Sequence, residues 1–222
     1  MKKVLFPNIL IILLWVSFLD AAWRPGEMQV AITVQNRSDI NLILKEKLTI
    51  DQIIGNQILL LVTPQEMKTL EYIGFQPEIT IPSMEEHSRR LLTSPDFAVF
   101  HDYNTTLTLV DSLMAAFPNL ISKHIFGYAL SGRQLYAVKI SDNVQLDENE
   151  PEIGFDGGHH GDEIMGAEIN ILLMRDLCVQ YGSNPQITDL VNTREIWIFP
   201  FINPDGRMAM TRYNNAGVDI NR

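Results

Sequence analysis

The alternation of apolar strand and apolar helix over residues 152–203 constrains this chain most. "EIGFDGG" reads as a buried strand, "EIMGAEINILLMRDLCVQYG" as a helix apolar on most faces, and "REIWIFPFIN" as a second, strongly apolar strand. Strands this continuously apolar need cover on both faces. The expected fold class is therefore α/β, with a mixed, mostly parallel sheet and helices on both faces. Upstream, "NTTLTLVDSLMAAFP" has helical spacing and is stopped by Pro118, while "SKHIFGYALSGRQLYAVKIS" gives two strands around Ser131-Gly132. These elements are assigned to one domain over residues 95–222.

Residues 23–94 read as a separate, smaller α/β unit. "MQVAITV", "NQILLLVT" and "PEITIP" have strand character, and "SDINLILKE" reads as a short helix. "TPQEMKTLEYIGF" is a second helix, with Thr63 as cap, Pro64 at the first position, Glu66 at the third and Gly74 as the stop. The order is β-α-β-α-β, with no ionisable cluster that suggests chemistry. "SMEEHSRRLLTSP", mixed in charge and ended by proline, reads as a linker carrying the basic pair Arg89-Arg90. Residues 1–22 combine two lysines, an apolar run over 4–19 and the small pair Ala21-Ala22, the layout of a secretory signal. That run falls short of the ~20 residues a membrane span needs, so stable membrane insertion after signal removal is not expected. The predicted localisation is secreted or periplasmic. A net charge of −10 offers no basic stripe for nucleic acid. A single cysteine, Cys178, excludes an intrachain disulfide and a cysteine zinc cluster.

Two polar clusters sit at predicted strand ends, where open α/β sheets bind ligands. In "GGHHGDEIMG", residues 157–166, His160 leaves the strand and Glu163 follows three residues later at the start of a helix. Glycines around them permit a turn tight enough for an imidazole and a carboxylate to meet on one ion, a donor pair that zinc accepts. A plain helix start with acidic residues favoured by its dipole accounts for the same letters. In "FINPDGRMAMTRYNNAGVDINR", Asn203-Pro204-Asp205-Gly206 reads as a turn, followed by Arg212, Asn214, Asn215, Asp219, Asn221 and Arg222. Such a loop suits an anionic ligand, because arginine offers carboxylates a planar fork. An ordinary polar surface loop is the alternative.

In their order, "GGHHGDEIMG", "FINPDGR" and "RYNNAGVDINR" resemble the zinc metallocarboxypeptidases of the carboxypeptidase A and T kind, over roughly residues 102–222. The resemblance implies a Zn2+ cofactor and a peptide or protein substrate with a free C-terminus, whose last peptide bond is hydrolysed. It makes His160 and Glu163 the first two zinc ligands, while His159 matches no ligand. It makes Arg212 the catalytic group that polarises the scissile carbonyl, and Asn221 and Arg222 the pair that binds the substrate carboxylate. It also implies a prosegment over residues 23–94, with cleavage near Arg89-Arg90.

In that family a third zinc-ligating histidine and a general-base glutamate follow the Asn-Arg pair, as do the last strands of the sheet. The expectation is a front part of a carboxypeptidase, with an incomplete sheet and no activity as a fragment. A related zinc amidohydrolase or deacylase, or a non-catalytic carboxylate-binding protein of the same fold, are the alternatives.

Overall fold

The computed structural model describes residues 23–93 and 99–222. The signal expected at 1–22 and the end of the expected linker lie outside the described residues.

The first unit contains β1 (Met28–Thr33), α1 (Arg37–Lys45), β2 (Thr49–Ile54), β3 (Gln57–Val62), α2 (Pro64–Tyr72) and β4 (Glu78–Ile81). Its strands form an antiparallel sheet in the order β2-β3-β1-β4. β2 is one strand more than the pattern predicts. Its Ile50, Ile53 and Ile54 are only partly covered or exposed, so no clean apolar alternation marks it. The cap of α2 forms as expected: Glu66 N–H donates to Thr63 Oγ1 (3.4 Å), and Thr63 N–H donates to Glu66 Oε2 (2.8 Å). Gly74 ends that helix at φ +97°, a conformation glycine adopts without strain. Val30, Ile32, Ile58, Leu60 and Leu70 are buried together as the core.

The expected linker is a helix, α3 (Met84–Leu92), capped by Ser83. Its mixed charges are helix pairs one turn apart, Glu85–Arg89 and Glu86–Arg90, both at 3.3 Å.

The second unit contains α4 (Tyr103–Ala116), β5 (Ile121–Tyr128), β6 (Gln134–Ile140), β7 (Glu152–Asp156), α5 (Ile164–Gln180), α6 (Pro185–Asn192), β8 (Glu195–Phe199) and α7 (Pro204–Ala209). Its sheet runs β5-β6-β8-β7. The α/β class holds, but the mostly parallel sheet does not: β5–β6 and β6–β8 are antiparallel, and β7–β8 alone is parallel. Apolar continuity reports burial on two faces and carries no information on strand direction. β7, expected to be buried, is exposed along its whole length at the sheet edge. Val138, Ile140, Ile196 and Ile198 share one core with α4, α5 and α6 through Val110, Ile171, Met174 and Val191.

Candidate active site

β7 and β8 run parallel, so both release their chains at the same end of the sheet. The two segments stay zipped beyond the strands: Gly157 N–H donates to Phe199 O (3.0 Å), Ile202 N–H to Gly157 O (3.0 Å) and Asn203 N–H to Gly158 O (2.9 Å). Gly161 N–H then donates to Thr211 O (2.9 Å). This pairing brings the two sequence clusters together.

Two glycines make the approach possible. A Cβ on Gly161 would sit 1.8 Å from the carbonyl carbon of Gly206, and one on Gly206 would sit 2.4 Å from Asn203 Nδ2. The expected Asn-Pro-Asp-Gly turn is instead the start of a helix. Asn203 caps α7 by accepting from Gly206 N–H (3.0 Å), and Pro204 takes the first helical position. The local letters fit both, because a type I turn and the first turn of a helix share backbone angles.

His160 is buried, and both its nitrogens face carboxylates. Nδ1 lies 2.9 Å from Glu163 Oε1, and Nε2 lies 2.9 Å from Asp219 Oδ1. Glu163 stands at the cap of α5 but makes no side-chain cap bond. Its carboxylate, 62% exposed, is turned to the imidazole instead. Arg212 is almost wholly buried; its Nε donates to Asp219 Oδ2 (2.7 Å), and Nη1 lies 3.6 Å from Glu163 Oε1. Its Nη2 is sealed from solvent with no partner. Asn203 Nδ2 holds Arg212 from behind through the Arg212 carbonyl (3.4 Å).

Of the predicted residues, His160, Glu163 and Arg212 thus converge. Asn221 and Arg222 are exposed. Asn221 reaches the cluster through its backbone, with N–H donating to Asp219 Oδ1 (3.0 Å), and Arg222 touches the Asn221 carbonyl (2.8 Å). Asp219 is the residue to which sequence reasoning assigned no role, although it bridges His160 and Arg212. Its burial is outweighed by hydrogen bonds from Arg212, the Asn221 N–H and His160, which hold its carboxyl below the ordinary range. Asp162 behaves in the opposite way: desolvation pushes its carboxyl up to about 6. Beside the cluster lies a cavity of about 270 Å3, lined by Tyr128, Leu135, Asn203, Asp205, Asn214 and Ile220 among others. Asp205 at its wall is held by Ser131 and by Arg133 Nη1 (2.9 Å).

The donor set fits a zinc ion in part. An imidazole nitrogen and a carboxylate oxygen 2.9 Å apart suit two ligands each about 2.0–2.2 Å from one ion. Among the described residues, no third histidine, cysteine or acid completes a three-donor set with them.

The zinc carboxypeptidase family profile matches residues 106–222, more than half of the chain. The chain belongs to the zinc carboxypeptidase family. It is 37% identical to a zinc carboxypeptidase of Saccharothrix mutabilis subsp. capreolus over 107 residues, covering 48% of this chain and 25% of the relative. It is 27% identical to carboxypeptidase D of Rattus norvegicus over 217 residues, covering 93% of this chain and 15% of that protein. The crystal structure of a carboxypeptidase A from Helicoverpa armigera shares the fold, with a TM-score of 0.66 at 19% identity over 85% of this chain and 53% of that one. The chain therefore spans a quarter or less of these two curated relatives and about half of that solved structure.

Proposed function

We propose that this chain carries part of the active site of a zinc-dependent carboxypeptidase, which hydrolyses the C-terminal peptide bond of peptides and proteins. The observation that carries the reading is the convergence of His160, Glu163 and the buried Arg212 at the shared end of β7 and β8. His160 and Glu163 would hold the metal, and a bound zinc ion supplies Lewis acidity and draws the pKa of water toward about 7.

Arg212 is fixed by Asp219 and keeps one nitrogen, Nη2, without a partner, a spare donor for an oxygen that gains charge once the groups covering it are displaced by substrate. Fixing the donor in advance removes the cost of reorienting it during reaction. Asn221 and Arg222 would bind the free carboxylate of the substrate, so that only its last peptide bond is presented. We further propose that residues 23–94 act as a prosegment removed near Arg89-Arg90, with export of the protein by residues 1–22.

The test is made on a longer form of the protein that cleaves peptides. Free-acid peptides should be cleaved and their C-terminal amides spared. Arg212→Ala should lower kcat by about 100-fold or more, while Arg222→Ala should mainly raise KM. Equal cleavage of acids and amides would overturn the carboxylate assignment. On the 222-residue chain, calorimetry should show only weak zinc binding, because His160 and Glu163 are two donors where catalytic sites use three. Tight stoichiometric binding there would refute the donor count.

A further inference from the structure

Asp219 fixes the guanidinium of Arg212, but a long side chain is only as well placed as the backbone that carries it. The residues around Arg212 are each gripped by a different segment of the chain. Met210 O accepts from Ser88 Oγ of α3 (2.9 Å), Thr211 O from Gly161 N–H (2.9 Å) and Arg212 O from Asn203 Nδ2 (3.4 Å), while Tyr213 OH donates to Glu27 Oε1 (2.9 Å). The grip on Arg212 itself comes from Asn203.

Asn203 is buried, and its backbone and side chain are both fully used. Its N–H donates to Gly158 O (2.9 Å), two residues before His160, and its carbonyl accepts from Arg207 N–H (3.1 Å). Oδ1 accepts from Gly206 N–H (3.0 Å), and Nδ2 donates to the Arg212 carbonyl. One residue thus joins the turn that carries His160, the first turn of α7 and the peptide unit of Arg212. Glycine at 206 leaves room for this, since a Cβ there would sit 2.4 Å from Asn203 Nδ2 and 2.8 Å from the Thr211 and Tyr213 carbonyl oxygens.

Capping α7 requires only half of that side chain. An N-cap needs an acceptor, which serine, aspartate and asparagine all supply, but asparagine alone carries a separate donor atom beside it. Here that donor is spent on Arg212. The helix behind it is a stiff base: Asp205 is held by Ser131 and by Arg133 Nη1 (2.9 Å) of the β5–β6 hairpin, and Arg207 Nη2 donates to His101 O (2.8 Å) ahead of α4. Asp205 and Arg207 are both buried, so the support is locked by its own partners.

We propose that Asn203 is a positioning residue for Arg212, its Nδ2 setting the Arg212 peptide against the turn that carries His160, an assignment that rests on the reading of Arg212 as the oxyanion-binding group of a carboxypeptidase. Asn203 touches neither metal nor substrate in this role. Loss of its donor leaves Arg212 present but less well aimed, and misplacement of such a donor is felt in the transition state more than in substrate binding.

The test uses the longer, peptide-cleaving form of the protein. Asn203→Ser and Asn203→Asp keep the cap acceptor and lose the amide donor; serine adds no charge and aspartate keeps the shape. Both should lower kcat about tenfold with KM within about threefold. Asn203→Ala also loses the cap, and its Tm should fall below that of Asn203→Ser. In an Arg212→Ala background, Asn203→Ser should change kcat by less than about twofold, because the group it aims is gone. A tenfold loss in both backgrounds would mean that Asn203 acts independently of Arg212 and would overturn the assignment, as would wild-type kcat in either variant. A second readout, on the 222-residue chain, needs no activity. The Arg212 carbonyl and the Tyr213 N–H share one peptide plane, so Asn203→Ser should speed hydrogen exchange of the Tyr213 amide at least about tenfold while amides of β6 keep their rate. Failure of the longer form to cleave any peptide would sink the carboxypeptidase reading, whereas unchanged Tyr213 exchange would by itself overturn the grip of Asn203 on Arg212.

Discussion

At the scale of single residues, the environment of each carboxylate decides its charge. Asp219 and Asp162 lie on the same loop assembly and shift in opposite directions, because Asp219 accepts from Arg212, His160 and a backbone N–H, whereas Asp162 has a sealed Oδ1 with no donor. The Asp162 value of about 6 lies above its ordinary 3.8. A folded pKa above the unfolded one means the folded state holds the proton longer. The contribution of Asp162 to stability is therefore full below about pH 4 and is lost as pH rises through about 6. In zinc-free buffer, Asp162→Asn should stabilise the protein by about 2 kcal/mol near pH 7.5 and by almost nothing near pH 4. Urea melts at the two pH values check this. An equal effect at both would mean that Asp162 keeps its charge throughout. The glycines beside it were legible as tight-turn residues, but the reason for Gly161 was not, since its neighbour Gly206 is 45 residues away in sequence.

Among elements, the site depends on how closely α7 approaches the loop after β7. A methyl group at position 161 would clash with the backbone of Gly206 and Arg207, at 1.8–2.2 Å and so far inside van der Waals contact. Backbone on both sides leaves no flexible side chain to give way. Gly161→Ala should destabilise the fold by about 3 kcal/mol, the upper range for overpacking, and should weaken any metal or inhibitor binding that uses His160. A denaturant midpoint matching the wild type would show that the two segments are not held this close. The same approach explains why Glu163 leaves α5 without a side-chain cap: the carboxylate serves His160 across the loop. Cap signals such as Thr63 and Glu66 were readable because capping partners lie within three residues. The segment read as a linker carries α3, whose cap at Ser83 and Glu–Arg pairs are equally local, and Ser88 Oγ adds a distant support by donating to Met210 O (2.9 Å).

For the whole molecule, the first unit is fastened to the loop that carries Arg212. Trp23, Leu61 and Met84 bury Tyr213, with the Trp23 and Tyr213 rings edge to face at 6.3 Å. Tyr213 OH donates to Glu27 Oε1 (2.9 Å), and Arg24 joins Glu27 (2.6 Å) to Glu66 (2.7 Å). Burial pushes the Glu27 carboxyl up, against the pull of Arg24. This interface couples the two sheets mechanically. Tyr213→Ala should cost about 3–4 kcal/mol, in line with other buried aromatic truncations, and should split one thermal transition into two as the units melt separately. Calorimetric scans would show the split. A single sharp transition at lower temperature would mean that the units remain one cooperative body without Tyr213.

The sequence alone determined what depends on short range. Helices α2, α4 and α5 and the hairpin of β5 and β6 follow from periodicity and caps within a few residues of each other, and His160 and Glu163 stand three residues apart as a candidate donor pair, whereas Arg212 was singled out only by the resemblance to a family. Tertiary structure decided what depends on neighbours distant in the chain. It set the antiparallel pairing of β6 with β8, set the parallel pairing of β7 with β8 and made Asp219 the bridge between His160 and Arg212. It also drew Asp142, Glu148 and Glu150 into one cluster while giving Glu195 its own lysine. The physical reason is common to all four: an apolar or acidic letter states what a residue must avoid or neutralise, and only the folded chain supplies the group that does it.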